Sequence, residues 1–241
     1  MNDLSQFEKD LEQFQITLSD TQKEQFLKYY ELLVEWNGFM NLTAITEFDD
    51  VMKKHFTDSL SLVKAYSEIR TEKLKVIDIG TGAGFPGIPL KIVFPQIELT
   101  LLDSLQKRLK FLQEVIDQLG LGEVELIHGR AEDFCKPSMK REQYDFCVSR
   151  AVANLATLSE LCLPYVKVGG KFIPYKSEKA EEEVKAAKKA IGLLGGEVKD
   201  QIEFELPESN IGRTLVVIEK KNATPKKFPR KAGMPAKEPI Q

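Results

Sequence analysis

Four glycines, Gly80, Gly82, Gly84 and Gly87, follow closely on the acid Asp78, the third residue of the run VIDI. Backbone positions without a Cβ allow a ligand or another chain segment to come unusually near. Two ligands suit such a turn: the pyrophosphate of a dinucleotide and the methionyl end of S-adenosylmethionine. Gly82-x-Gly84-x-x-Gly87, with Asp103 nineteen residues beyond Gly84, satisfies the dinucleotide fingerprint literally. Three features oppose it. Asp78 would face a diphosphate at short range, where like charges repel. Pro86 and Pro89 stiffen the turn and remove amide donors that a pyrophosphate would use. No second βαβ half follows. The ammonium and sulfonium of S-adenosylmethionine, by contrast, are favoured beside Asp78. The cluster Asp78-x-Gly80-x-Gly82-x-Gly84 therefore favours the methyl donor, with an NAD(P)-binding oxidoreductase as the alternative.

Other candidates sit where strands should end. Asp103 closes ELTLLD and suits the two ribose hydroxyls, or else caps the helix that begins SLQKR. In GRAEDF, Glu132 or the amides of Ala131 and Glu132 are placed to read an adenine edge, or Glu132 is an acid at a helix start. Arg150, in Ser149-Arg150-Ala151, falls at the carboxyl end of a strand, where ligands of open α/β sheets bind. That address puts it at the donor methyl and the substrate rather than on plain surface. Asn41, His55 and Lys176 are weaker candidates for a base pocket; a turn residue, a helix-face histidine and a surface lysine are the simpler readings. Cys147 lies inside an apolar strand and reads as core, which leaves no cysteine nucleophile.

These residues need a scaffold. Residues 1–65 carry helical periodicity and read as a helical cap. Ser19 and Gln22 have capping-box spacing ahead of a helix with Phe26, Tyr30, Leu33 and Val34 on one face, ending near Asn37-Gly38. A second helix is expected from Thr46, carrying Phe48, Val51, Met52, Phe56, Leu60 and Val63. Strands are expected at 74–79, 98–103, 123–128, 144–149 and 171–175, with helices at 86–94, 104–119, 155–167 and 178–192. That alternation describes a parallel sheet covered on both faces. Runs at 198–206 and 213–219 are joined by PESNIG, too short for a crossover, so the seventh strand should be antiparallel. The donor-binding domain is placed at 66–220 and a basic, flexible tail at 221–241.

The chain of 241 residues has net charge −3, but from Glu219 onward it carries seven Lys or Arg against two acids. A basic tail on an acidic body reads as an arm for phosphates or as a solubilising end. Three cysteines without CxxC spacing and two separated histidines argue against disulfides and a metal centre. The polar N-terminus and the lack of an apolar run of ~18 residues give no secretory or membrane signal. The expectation is a cytoplasmic, metal-free monomer.

The turn DIGTGAGFPGIPL, the segments WNGFMNLTAI, HFTDSL and GRAEDF, and SRAV together resemble the bacterial family that methylates N7 of a guanine in 16S ribosomal RNA, also called glucose-inhibited division protein B. The likeness spans nearly the whole chain. It implies a class I, Rossmann-like methyltransferase with an N-terminal helical extension, acting on 16S rRNA, the small ribosomal subunit or its precursor. It also implies cofactor contacts at Gly80, Phe85, Ala131, Glu132 and Arg150. The residues agree with that chemistry. No Asn/Asp-Pro-Pro-aromatic run of the amine methylases follows the fourth strand, and an already nucleophilic N7 needs no general base. Arg150 would then donate to guanine O6. A non-catalytic rRNA-binding or assembly factor with a donor pocket would lack a base equally well.

Overall fold

The computed structural model describes residues 3–177 and 180–240. Seven strands form one sheet: β1 (Lys75–Ile79), β2 (Glu98–Asp103), β3 (Val124–His128), β4 (Tyr144–Arg150), β5 (Val166–Lys176), β6 (Gly196–Glu205) and β7 (Gly212–Lys220). Their order is β3-β2-β1-β4-β5-β7-β6, and β7 runs antiparallel to both neighbours. The expected strands and the closing hairpin are present, but β4 and β5 pair in parallel across a helical connection, so a second βαβ unit does follow the first, contrary to expectation. β5 begins five residues earlier than its apolar run, because Val166–Gly170 continue the extended chain ahead of it. Central strands alternate side chains between two covered faces. Val76, Phe146, Val148, Ile173 and Leu215 enter one core, while Ile77, Cys147, Phe172, Val216 and Ile218 enter the other. Burial on both sides is why these strands read as continuous apolar runs.

Helices α1 (Ser5–Glu12), α2 (Asp20–Met40), α3 (Phe48–Val51), α4 (Asp58–Leu60), α5 (Gly87–Val93) and α6 (Gln106–Leu119) belong to the first core or border it; α7 (Ala131–Phe134), α8 (Leu155–Cys162), α9 (Ala180–Leu193) and α10 (Met234–Lys237) belong with the second. Residue 178, the expected start of the last long helix, lies outside the described residues. The Ser19–Gln22 capping box forms as read. The helix it starts runs on to Met40, with Asn41 in the left-handed conformation as its cap. Its buried stripe is Phe26, Tyr29, Leu32 and Leu33; Val34 is exposed, so the expected face is rotated by about one residue. α1 escaped notice because its apolar positions, Phe7 and Leu11, make a stripe only two residues long.

The second N-terminal helix also differs. Between α3 and α4 the chain winds as a π-helix over Met52–Thr57. Wider turns of this kind rotate the side chains that follow, and they concentrate at functional sites. Here the rotation carries His55 and Asp58 toward the sheet. The N-terminal helices share one core with the sheet through a run of aromatic contacts: Phe7 on Phe26 (5.1 Å), Phe26 on Phe56 (5.0 Å), Phe56 on Tyr29 (5.2 Å) and Tyr29 on Phe85 (5.5 Å). The last link lands on the glycine turn. The basic C-terminal segment, expected to be flexible, is packed instead. Arg141 donates to the carbonyls of Thr224 and Phe228, Phe228 is buried, and Arg230 pairs with the buried Glu160.

Candidate active site

A cavity of about 1040 Å3 opens at the carboxyl ends of β1, β2, β4 and β5, on the edge where the N-terminal helices meet the sheet. Gly80, Gly82, Phe85, Asp103, Ala131, Glu132 and Arg150 all line it; Asp78 and Gly84 do not. Of the weaker candidates, His55 and Lys176 reach it, and Asn41 remains a helix cap outside it.

The glycines divide into two jobs. Added methyl groups would strike Tyr29 and Leu112 at Gly84, and Leu101 and Asp78 at Gly87, so these positions let the turn pack onto α2, α6 and β2. Gly82 is different: it has φ +63°, and an added methyl there would meet nothing nearer than the Gly80 carbonyl at 4.0 Å. Its bare face belongs to the cavity. The Tyr29 hydroxyl donates to the Ala83 carbonyl, so a residue of α2 holds the turn that the sheet presents. Gly84→Ala is therefore expected to cost about 2 kcal/mol, from a strained positive φ and crowding in a filled core. Thermal unfolding measures it; an unchanged midpoint would show that α2 does not lean on the turn.

Asp78 takes a place beneath the turn rather than facing a ligand. Its Oδ2 accepts from Thr81 Oγ1 (2.8 Å) and the Gly87 amide (3.0 Å), while Oδ1 is buried and has no partner among the described residues. Burial lifts its pKa to about 7, against the opposing pull of those two hydrogen bonds and of Arg150. The sequence reading of Asp78 as the acid that faces a cation is thus modified: the carboxyl lies beneath the turn and does not border the cavity. Asp103 is half-way between its two readings. Oδ2 accepts from the Gly82 amide (2.9 Å) and Arg108 (3.2 Å), while Oδ1 accepts from Leu105 N (2.9 Å), as a residue shaping a helix entry does. It still borders the cavity.

Arg150 is held by the N-terminal extension. Its Nη1 donates to Asp58 Oδ2 (2.9 Å), its Nη2 approaches His55 Nδ1 (3.3 Å), and its guanidinium stacks on Phe85. Asp58 is buried and also accepts from Arg213 Nε of β7 (2.9 Å) through its other oxygen. An arginine only donates, so His55 Nδ1 must be the lone-pair nitrogen. Nε2 then carries the proton and donates to Thr43 Oγ1 at 2.9 Å. Burial and the neighbouring Arg150 push the His55 pKa down to about 3, so the ring is neutral near pH 7. Lys176 is no surface lysine: it bonds the Ala153 carbonyl (2.9 Å) and Glu183 (2.8 Å). Glu132 lines the cavity with one oxygen engaged: its Oε1 accepts from the Gly233 amide at 2.7 Å. Cys147 is buried in the second core, and burial holds its thiol well above the ordinary range.

Sequence reasoning missed Tyr29, Asp58 and Arg213, and the C-terminal residues Gly233, Pro235 and Ala236 that line the cavity. Asp58 left a signal, an acid between Phe56 and Leu60 on an apolar helix face. The others left none, because each acts across more than fifty residues of chain.

Among the described residues no helix is long and apolar enough to cross a membrane, and no three His, Cys, Asp or Glu side chains are grouped to hold a metal ion. Comparison with known proteins adds the following. The sequence profile of the family described as rRNA small subunit methyltransferase G (GidB) matches residues 22–211. The chain is 52% identical over 240 residues to the ribosomal RNA small subunit methyltransferase G of Lachnoclostridium phytofermentans, covering 100% of this chain and 98% of that one. It is 55% identical to the protein of that name from Alkaliphilus oremlandii, covering 94% of each. In fold it is similar to the ribosomal protein L11 methylase of Lactobacillus delbrueckii subsp. bulgaricus, with TM-score 0.51, 15% identity, and 69% and 77% of the two chains covered.

Proposed function

The chain belongs to the rRNA small subunit methyltransferase G family, and on that premise we propose that it methylates N7 of one guanine in a loop of 16S rRNA, in the bacterial cytoplasm. It is an S-adenosylmethionine-dependent methyltransferase, and the site fits that donor. Gly82 offers bare backbone to the cavity, Asp103 stands at the end of β2, and the orphaned Oδ1 of Asp78 leaves negative potential under the turn. Gly80, Gly82, Phe85, Asp103, Ala131 and Arg150 would hold it. When bound, the donor supplies an electrophilic methyl group.

One observation supports N7 as the target: among the described residues, three titratable side chains of the cavity are already engaged rather than poised to take a proton. His55 is neutral with both ring nitrogens engaged, Asp58 is shared by two arginines, and Glu183 is held by Lys176 and the Leu155 amide. An unprotonated ring nitrogen needs orientation and exclusion of water rather than a base. Phe85 and His55, stacked at 4.5 Å, and Arg150 present a flat, cationic wall on which a base can lie. Nη1 of Arg150 is committed to Asp58, which leaves Nε and one Nη2 hydrogen to donate to guanine O6. Donation there leaves N7 open. The base must leave its stack to enter, which costs least in a loop.

The test is transfer of labelled methyl from S-adenosylmethionine to small ribosomal subunits from cells lacking this protein, with the modified base mapped. The expected product is 7-methylguanosine at one 16S rRNA position. Methylation at another atom would sink the N7 reading and keep the family. RNA contact carries its own expectation. Arg230, Lys220 and Lys221 are paired within the protein, whereas Lys226, Lys227, Lys231 and Lys237 are exposed. Replacing those four by glutamine should flatten the salt dependence of RNA binding, log K against log salt, by about 3 if each meets a phosphate. An unchanged slope would remove the C-terminal lysines from the interface.

A further inference from the structure

The C-terminal segment is built into the cavity. Thr224 N donates to Glu142 (2.7 Å) and Arg141 gathers the carbonyls of Thr224 and Phe228, fixing where the segment leaves β7. Further along, Arg230 grips Glu160 of α8 three ways: N and Nε to Oε1 (2.7 and 2.9 Å) and Nη2 to Oε2 (2.6 Å). Glu160 is fully buried, and among the described residues its carboxylate has no other partner. Lifting the segment would leave that charge unpaired in the core, which is strongly unfavourable. Two more bonds set the last turn, Gly233 N to Glu132 (2.7 Å) and Thr157 Oγ1 to the Pro235 carbonyl (3.0 Å). A solubilising tail needs none of this.

What the segment builds is a wall. Gly233, Pro235 and Ala236 border the cavity beside Gly129, Ala131 and Glu132, at the turn that follows β3. In sheets of this kind the acid ending β2 marks the ribose, so the next strand outward marks the base of the nucleoside. Resting on the methyltransferase reading, we propose that Gly233, Pro235 and Ala236 are binding residues for the adenine end of the methyl donor. Glu132 is their positioning residue: its carboxylate fixes Gly233. Pro235 and Ala236 add apolar surface where a flat heterocycle needs it, and they come from the end of the chain rather than from the sheet.

Hydrogen exchange on the intact protein, with and without S-adenosylhomocysteine, tests this directly. Amides of 231–237 should exchange several-fold more slowly when the ligand is bound. Pro235→Gly with Ala236→Gly keeps both carboxylate clamps and removes the wall's side chains. It should raise the calorimetric Kd for S-adenosylhomocysteine about tenfold, the loss expected for roughly 50 Å2 of apolar contact. Unchanged exchange at 231–237, or an unchanged Kd in the double variant, would overturn the assignment while leaving the methyltransferase reading intact. Failure of the intact chain to bind S-adenosylhomocysteine at all would overturn both.

Discussion

In Asp78→Asn, the profile of folding stability against pH should diverge from that of the parent protein by about 4 kcal/mol between pH 4 and 8. The parent carboxyl is buried, with one oxygen unpaired, and burial raises its pKa from 3.8 to about 7. The folded state therefore keeps a proton that the unfolded state gives up near pH 4. A raised acid contributes stability that is fully present below the unfolded pKa and is lost as pH rises through the folded one. Three units at 1.36 kcal/mol each set the size. Asparagine keeps an acceptor for Thr81 and Gly87 and has no charge to desolvate. The donor's positive groups favour the ionised form of Asp78, so binding should release a proton near pH 7 and tighten as pH rises. Denaturant unfolding at pH 4 and pH 8, with calorimetry in buffers of different ionisation enthalpy, measures both effects. Parallel stability profiles for the two proteins would show that Asp78 ionises normally.

Asp58→Ala should destabilise the protein by about 3 kcal/mol, because one buried carboxylate serves two arginines from different parts of the chain. In a domain of this size that lowers the melting temperature by roughly 6–12 °C. Arg150 is left with carbonyl and imidazole partners alone, so methyl transfer should also fall, on the order of a hundredfold, if its orientation governs the approach of the base. The double variant separates position from presence. Arg150→Ala should cost far less activity in the Asp58→Ala background than in the parent, since the orientation is already lost. Additive losses would mean that Asp58 supports the fold and does not aim Arg150.

Much of this molecule is written locally. VIDI, ELTLLD and DFCVS are apolar on both sides because central parallel strands are covered on both faces, so period and composition alone located them. The short PESNIG link fixed the direction of β7 for a geometric reason that needs no tertiary information. The Ser19–Gln22 box marked its helix start because both partners lie within one turn. The glycine spacing pointed to a ligand turn, and strand ends pointed to Asp103 and Arg150, since open sheets bind at one edge.

What the three-dimensional structure decided is which of those groups face the ligand. Asp78 and Asp103 are similar acids in sequence, yet one is sealed beneath the turn and the other borders the cavity, a difference set by the packing of Gly87 against Leu101 and Asp78. Gly84 and Gly82 are two residues apart, but only the first meets Tyr29. The π-turn that rotates His55 and Asp58 toward Arg150 breaks the 3.6-residue period on which a sequence reading depends. Glu132 shares its carboxylate with Gly233, a hundred and one residues on, a partner that no local pattern announces. Local pattern specifies elements because backbone hydrogen bonding and burial repeat along the chain. Partners of a single charged group do not repeat, and only the folded chain brings them together.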